Sequence, residues 1–122
     1  MVLVDSSAWI ATTRRGGDEN LRERVNALIR TRQAAWCPAV RLELWPGAKG
    51  RMEISKADGI EGSDPRPGDD AAGWERAIDL AGRVCKAGFS CPYPDLLIAA
   101  CATVRGAELL HCDKHFDRLA IL

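Results

Sequence analysis

Four acidic residues of this 122-residue chain stand where acids are uncommon. Asp5 ends the apolar run Val2-Leu3-Val4, and Asp113 follows Leu109-Leu110 after His111-Cys112. Asp95 opens the apolar stretch Leu96-Leu97-Ile98-Ala99-Ala100, and Glu43 lies between Leu42 and Leu44. Taken singly, each has an ordinary explanation. A strand-ending aspartate makes turns, Asp95 suits a helix cap, Glu43 suits a solvent-facing position, and Asp113 suits a loop. Taken together they have a chemical consequence. Two carboxylates ~4 Å apart repel by ~1 kcal/mol in water and by ~4 kcal/mol at an effective dielectric of 20, so a cluster of them needs a cation. An all-oxygen donor set favours a hard ion, magnesium or manganese, which can activate water and steady charge on a phosphoryl oxygen. The chemistry this set suits is phosphodiester cleavage.

The rest of the composition narrows the setting. Seventeen basic residues balance seventeen acidic ones, so nucleic acid is not bound through net charge, and any basic contacts must be arranged locally. Arg14, Arg15, Arg41, Lys49, Lys114 and His115 are candidates for such contacts, although a solvated surface explains them equally well. No apolar run approaches the ~20 residues of a bilayer span, and the first residues lack the cationic and apolar pattern of a secretory leader. A cytoplasmic location is therefore expected. Five cysteines, Cys37, Cys85, Cys91, Cys101 and Cys112, include no CxxC pair and are expected to be buried, reduced thiols. Trp9 and Trp74 are expected in the core, with Trp45 free to stack on a base. A zinc site from His111, Cys112 and His115 has only the histidine spacing in its favour.

Strands and helices must alternate to bring four distant acids together. The pattern predicts strands at residues 2–4, 34–37 and 108–111, with brief further strands at 89–91 and 121–122. Helices are predicted over residues 8–13, 19–32, 39–44, 71–87, 96–104 and 114–119. Asp18 is the expected N-cap of the second, and Leu21, Val25, Leu28 and Ile29 form its apolar face. In the helix over 71–87, Trp74, Ile78, Ala81 and Cys85 share one side, and Gly88 sits at the C-cap. Residues 51–57 read as further helical turns and 58–70 as a Gly- and Pro-rich surface loop. The alternation predicts one α/β domain over residues 1–122 with a mostly parallel sheet. In such sheets ligands collect beyond the carboxyl ends of the strands, where Asp5 and Asp113 would lie.

The acid-bearing segments resemble those of PIN domains. Val2-Leu3-Val4-Asp5-Ser6-Ser7-Ala8-Trp9-Ile10 is similar to the opening strand and first acidic motif. Arg41-Leu42-Glu43-Leu44 with Gly47 is similar to the second, and Pro94-Asp95-Leu96-Leu97-Ile98-Ala99-Ala100-Cys101-Ala102 to the third. Leu109-Leu110-His111-Cys112-Asp113-Lys114-His115-Phe116 is similar to the closing motif. The compact length resembles the VapC-type toxin branch, apart from a shortened Gly- and Pro-rich stretch at residues 56–70 where the family carries longer helical material.

The resemblance implies a three-layer α/β/α sandwich and a magnesium- or manganese-dependent ribonuclease, the toxin half of a toxin–antitoxin pair. It implies a cognate antitoxin, a homodimer, and products with a 5′-phosphate and a 3′-hydroxyl. It assigns metal binding and catalysis to Asp5, Glu43, Asp95 and Asp113, with Asp5 and Asp95 as direct ligands. Ser6 or Ser7 would bond a ligand or water, and Asp117 would assist from behind. Two other readings stand beside it: a degenerate PIN fold kept for protein contacts, and a haloacid-dehalogenase-like phosphatase with Asp5 as nucleophile. The phosphatase reading wants a second aspartate where Ser7 stands.

Overall fold

The structure is a computed structural model, which describes residues 1–13, 16–35, 37–44 and 71–122. Expectations for Arg14, Arg15, Trp45, Gly47 and Lys49, and for the segments 51–57 and 58–70, lie outside the described residues. In chain order the elements are β1 (Val2–Val4), α1 (Ser6–Thr13), α2 (Glu19–Arg30), β2 (Ala34–Ala35), α3 (Pro38–Leu44), α4 (Ala71–Ala87), α5 (Tyr93–Arg105), β3 (Glu108–Leu110) and α6 (Lys114–Leu119). The strands form one parallel sheet with β1 in the centre, ordered β2-β1-β3. Val2 and Leu3 stand beside Ala34 and Ala35, and Val2, Leu3 and Val4 beside Glu108, Leu109 and Leu110.

The central strand explains the architecture. All of Val2, Leu3 and Val4 are buried, so both faces of β1 are covered, as a parallel sheet requires. Leu3, Val4, Trp9, Val25, Val40 and Ile98 make the tightest part of the core. Asp18 caps α2 as expected, accepting from the backbone N–H groups of Asn20 and Leu21. Val25 and Leu28 face the core, with Leu21 and Ile29 packed at its edge. Gly88 (φ 79°) and Gly106 (φ 63°) adopt the left-handed turn that ends α4 and α5. Thirteen-residue α5 is the most buried helix, which fits its run of Leu, Ile and Ala.

Several expectations need correction. Residues 89–91 and 121–122 are not strands. Leu122 instead closes a turn by donating its N–H to Leu119. Pro38 does not only stop the second strand; it opens α3, a first-turn position where its missing N–H costs nothing. Helix α5 begins at Tyr93 rather than at residue 96, with Pro94 in its first turn. Helix α4 has the expected bounds but faces the other way. Its buried side is Gly73, Ala77, Leu80 and Val84, and Trp74 is 51% exposed rather than in the core. Only some thiols are buried: Cys37 and Cys101 are, whereas Cys85 and Cys112 are exposed. A hydrogen bond with Cys101, then burial, hold the Cys37 thiol far above its ordinary range, so it stays protonated.

Candidate metal centre

The carboxyl end of β1 sets the first acid. Chain direction changes at Asp5, whose carbonyl accepts from the N–H groups of Ala8 and Trp9 as α1 begins. Its side chain curls over the helix start, where Oδ2 accepts from Ser7 N–H at 3.0 Å and from Ser7 Oγ at 2.5 Å. That is the bonding of an N-cap. The other oxygen, Oδ1, is buried without a hydrogen-bond partner, and the residue as a whole is 2% exposed. An orphaned carboxylate oxygen is costly in a folded protein and calls for a counterpart.

Ser6 and Ser7 divide the work of the turn. Ser6 Oγ donates to Glu43 Oε1 at 3.2 Å, tying α1 to α3. Ser7 Oγ also accepts from Cys112 N–H at 3.0 Å, which fastens the end of β1 to the segment after β3. Asp5 N–H donates to Leu110 C=O at 2.9 Å and continues the ladder to the point where Asp113 follows.

Asp113 caps α6, its Oδ1 accepting from His115 N–H at 2.9 Å. The same turn folds the His115 ring back over the acids. Nδ1 lies 2.8 Å from Asp95 Oδ2 and 3.2 Å from Asp113 Oδ1. With the ring proton on Nδ1, His115 donates to this pair of carboxylates. One ligand atom each from Asp95, Asp113 and His115 lie within 4.8 Å of one another. Asp95 is not the helix cap the sequence suggested. Pro92 occupies that position, and Asp95 sits in the first turn of α5 with its carboxylate bonded to His115.

Electrostatics place the four acids in one field. Burial first, then the charge of Asp5 and those of Asp95 and Asp113, raise the proton affinity of Glu43; the Ser6 hydrogen bond partly offsets them. Burial raises that of Asp95 above its usual range, as do Asp113 and Asp5, against the opposing pull of His115. Cys91 lies near enough to Asp95 and Asp113 that burial and their charges push its thiol up to about 11. Burial with the charges of Asp18 and Asp5 also raises Cys112. The neighbouring thiols are held toward their protonated form, so the donors on offer are carboxylate oxygens, a set that fits a hard divalent ion.

The structure therefore brings Asp95 and Asp113 together with His115, while Asp5 and Glu43 stand outside that close group yet near enough to share its electrostatic field. Asp117 does not join them: 74% exposed, it lies 3.8 Å from His111 Nε2. The zinc trio of His111, Cys112 and His115 does not form. His111 packs on Phe116 with ring centroids 5.0 Å apart, and His115 turns to the acids. His115 is the site residue that sequence reasoning undervalued. Its signal was the spacing from Asp113, because a capping side chain bonds the N–H two residues on and so shares a turn with that side chain.

Comparison with known proteins bears on the fold. A crystal structure of FitAcB from Neisseria gonorrhoeae is similar over 100% of this chain and 94% of that one, with TM-score 0.76 and 16% identity. A crystal structure of VapBC2 from Rickettsia felis, bound to a DNA fragment from their promoter, is similar over 97% and 92%, with TM-score 0.68 and 18% identity. No curated protein matches the sequence. The PIN domain model matches residues 2–122, so the chain belongs to the PIN domain family.

Proposed function

We propose that the chain is a magnesium- or manganese-dependent endoribonuclease, the VapC-type toxin of a toxin–antitoxin pair, acting in the cytoplasm. The observation that carries this reading is the buried, unpartnered Oδ1 of Asp5 amid three further carboxylates. Family membership supports nuclease chemistry and divalent-ion binding in general. Similarity to VapBC2, a complex by its name, supports a cognate antitoxin, and the family resemblance adds a homodimer.

In this reading Asp5, Asp95 and Asp113 hold the ion and Glu43 completes the set. The ion, when bound, supplies Lewis-acid stabilisation of a phosphoryl oxygen and an acidified water. The chain's own residues do the positioning. Ser7 fixes one oxygen of Asp5 and leaves the other for a ligand. His115 orients Asp95 Oδ2 from the solvent side, and Ser6 steers Glu43. Asp113 contributes while its N-cap bond fixes where α6 starts.

The test is cleavage of RNA by the purified protein with magnesium and with EDTA, alongside Asp95→Asn. Magnesium-dependent cleavage lost in the variant supports the reading. Equal cleavage in EDTA, or full cleavage by the variant, overturns it. Metal titration followed by thermal unfolding separates this reading from a degenerate PIN fold, which would give no shift.

A further inference from the structure

A cavity of about 360 Å³ lies beside the outer edge of β3, walled by α4, α5 and α6. Its position follows from the sheet. Glu108 N–H donates to Met1 C=O, and Leu110 C=O accepts from Asp5 N–H. These two residues spend their main-chain groups on β1, so Leu109 between them turns its own outward. Ala99 on α5 is too small to fill the space, and Leu80, Leu109 and Phe116 make its walls apolar. Two nitrogens of the lining residues stand apart from that apolar character. Arg76 Nε and His111 Nδ1 are both buried without a hydrogen-bond partner. Among the described residues only Asp5 Oδ1 and Trp9 Nε1 share that condition. A desolvated, unpaired polar atom is costly, and on a guanidinium the more so. Two of them around one cavity call for a guest.

We propose that this cavity binds a small carboxylic acid with an apolar body, its carboxylate on Arg76. The size suits an aliphatic or aryl-alkyl acid: at the ~30 Å³ share of a liquid water molecule, the space equals roughly a dozen non-hydrogen atoms. The head group follows from charge. Asp79 Oδ2 accepts from Arg76 Nη1 at 2.6 Å and from Arg83 Nε at 3.0 Å. Two guanidinium ions thus share one carboxylate, and a positive charge is left over. Arg83 Nη1 is spent on the Leu122 carbonyl at 2.9 Å, so Arg76 is the cation that meets the cavity. Because Asp79 takes Nη1, the Nε–Nη2 edge of Arg76 remains, and a carboxylate meets such an edge with two parallel hydrogen bonds. His111 Nε2 lies toward Asp117 at 3.8 Å, which leaves Nδ1 as a second polar contact for the same guest. The apolar body follows from the walls. An inorganic anion would leave Leu80, Leu109 and Phe116 uncovered, and a phosphate dianion would ask more of one arginine than its single free edge supplies.

This inference is tested without RNA or metal, so its failure leaves the nuclease reading standing. The full chain is titrated with octanoate and with 3-phenylpropionate while its backbone amides are followed by heteronuclear NMR. At least one acid should shift the amides of Leu109, His111 and Phe116 saturably, with a Kd of about 0.1–1 mM for so small a ligand. Octylamine, of the same length and opposite charge, should bind at least about tenfold more weakly. Arg76→Gln, which keeps the polar chain without the charge or the fork, should weaken the acid by roughly tenfold or more. Ala99→Leu, which fills the space from α5 and suits a helix, should abolish the shifts while circular dichroism stays native. Absence of saturable shifts with both acids overturns the proposal. So does octylamine binding as tightly as octanoate, or acid binding that survives both Arg76→Gln and Ala99→Leu.

Discussion

The acidic end of the sheet and the outer face of α4 are both unfavourable arrangements in an isolated chain, for opposite reasons. At the sheet end, like charges are crowded into a partly buried space, and Asp5 keeps one oxygen without a partner. On α4, Trp74 and Ile78 hold apolar surface in water. The first region is tightly over-determined. Ser6, Ser7, His115 and the cap of α6 fix the carboxylates from two elements, α1 and α6. The second is a plain helix face with nothing to orient it beyond the periodicity of α4. A site for a small ion needs its donors set to a fraction of an ångström, whereas an apolar helix face needs no such partners. The contrast makes separable predictions, because changes at one region should leave the other intact.

The largest effect belongs to the acids. Asp5→Asn or Asp95→Asn should lower RNA cleavage by about 10³-fold or more, equivalent to ~4 kcal/mol of barrier. Sedimentation should remain that of the parent protein. Next come changes beneath both regions. Ile98 is fully buried in α5, so Ile98→Ala should cost about 2–5 kcal/mol in a urea titration.

Charge relief should then appear as stability. Glu43 and Asp95 bind protons more tightly folded than unfolded. The folded state thus holds more protons in the window above pH ~4, and stability is full below that range and falls as pH rises through the raised values. Thermal unfolding of the metal-free protein should show this decline toward neutrality. Magnesium at 100 times its Kd should restore ~2.7 kcal/mol at pH 7. Asp95→Asn should flatten the pH dependence and shrink the magnesium shift. A metal-free protein that gains stability from pH 5 to 7 would contradict the electrostatic picture. The smallest effect is in stability alone: Asp18→Ala removes the α2 cap and should cost about 1 kcal/mol in a urea titration.

The two regions also differ in how far the sequence revealed them. The acids were legible because a charge directly after Val2-Leu3-Val4, or before Leu96-Leu97-Ile98, breaks a pattern that burial enforces. Strand and helix order followed from the same alternation. Asp95 was misplaced as a cap because its local context, an acid ahead of an apolar helix, looks the same at the cap and three residues inside. Only the first turn starting at Tyr93 separates the two. The face of α4 was misread for a comparable reason. Both of its sides are apolar, so periodicity locates a helix without saying which side meets α5. Small residues Gly73 and Ala77 won that contact because they let the two helices approach. His115 was undervalued because its role depends on a turn geometry that residue type alone does not specify.

The proposed function requires that the four carboxylates serve one divalent ion and that the protein cleaves RNA with it. The most direct measurement is magnesium-dependent RNA cleavage by the parent protein and by Asp5→Asn, the residue whose Oδ1 is buried and unpartnered. Cleavage should rise with magnesium, stop with EDTA and be lost in the variant while circular dichroism stays native. Cleavage that persists in the folded Asp5→Asn protein, or that ignores EDTA, would contradict it.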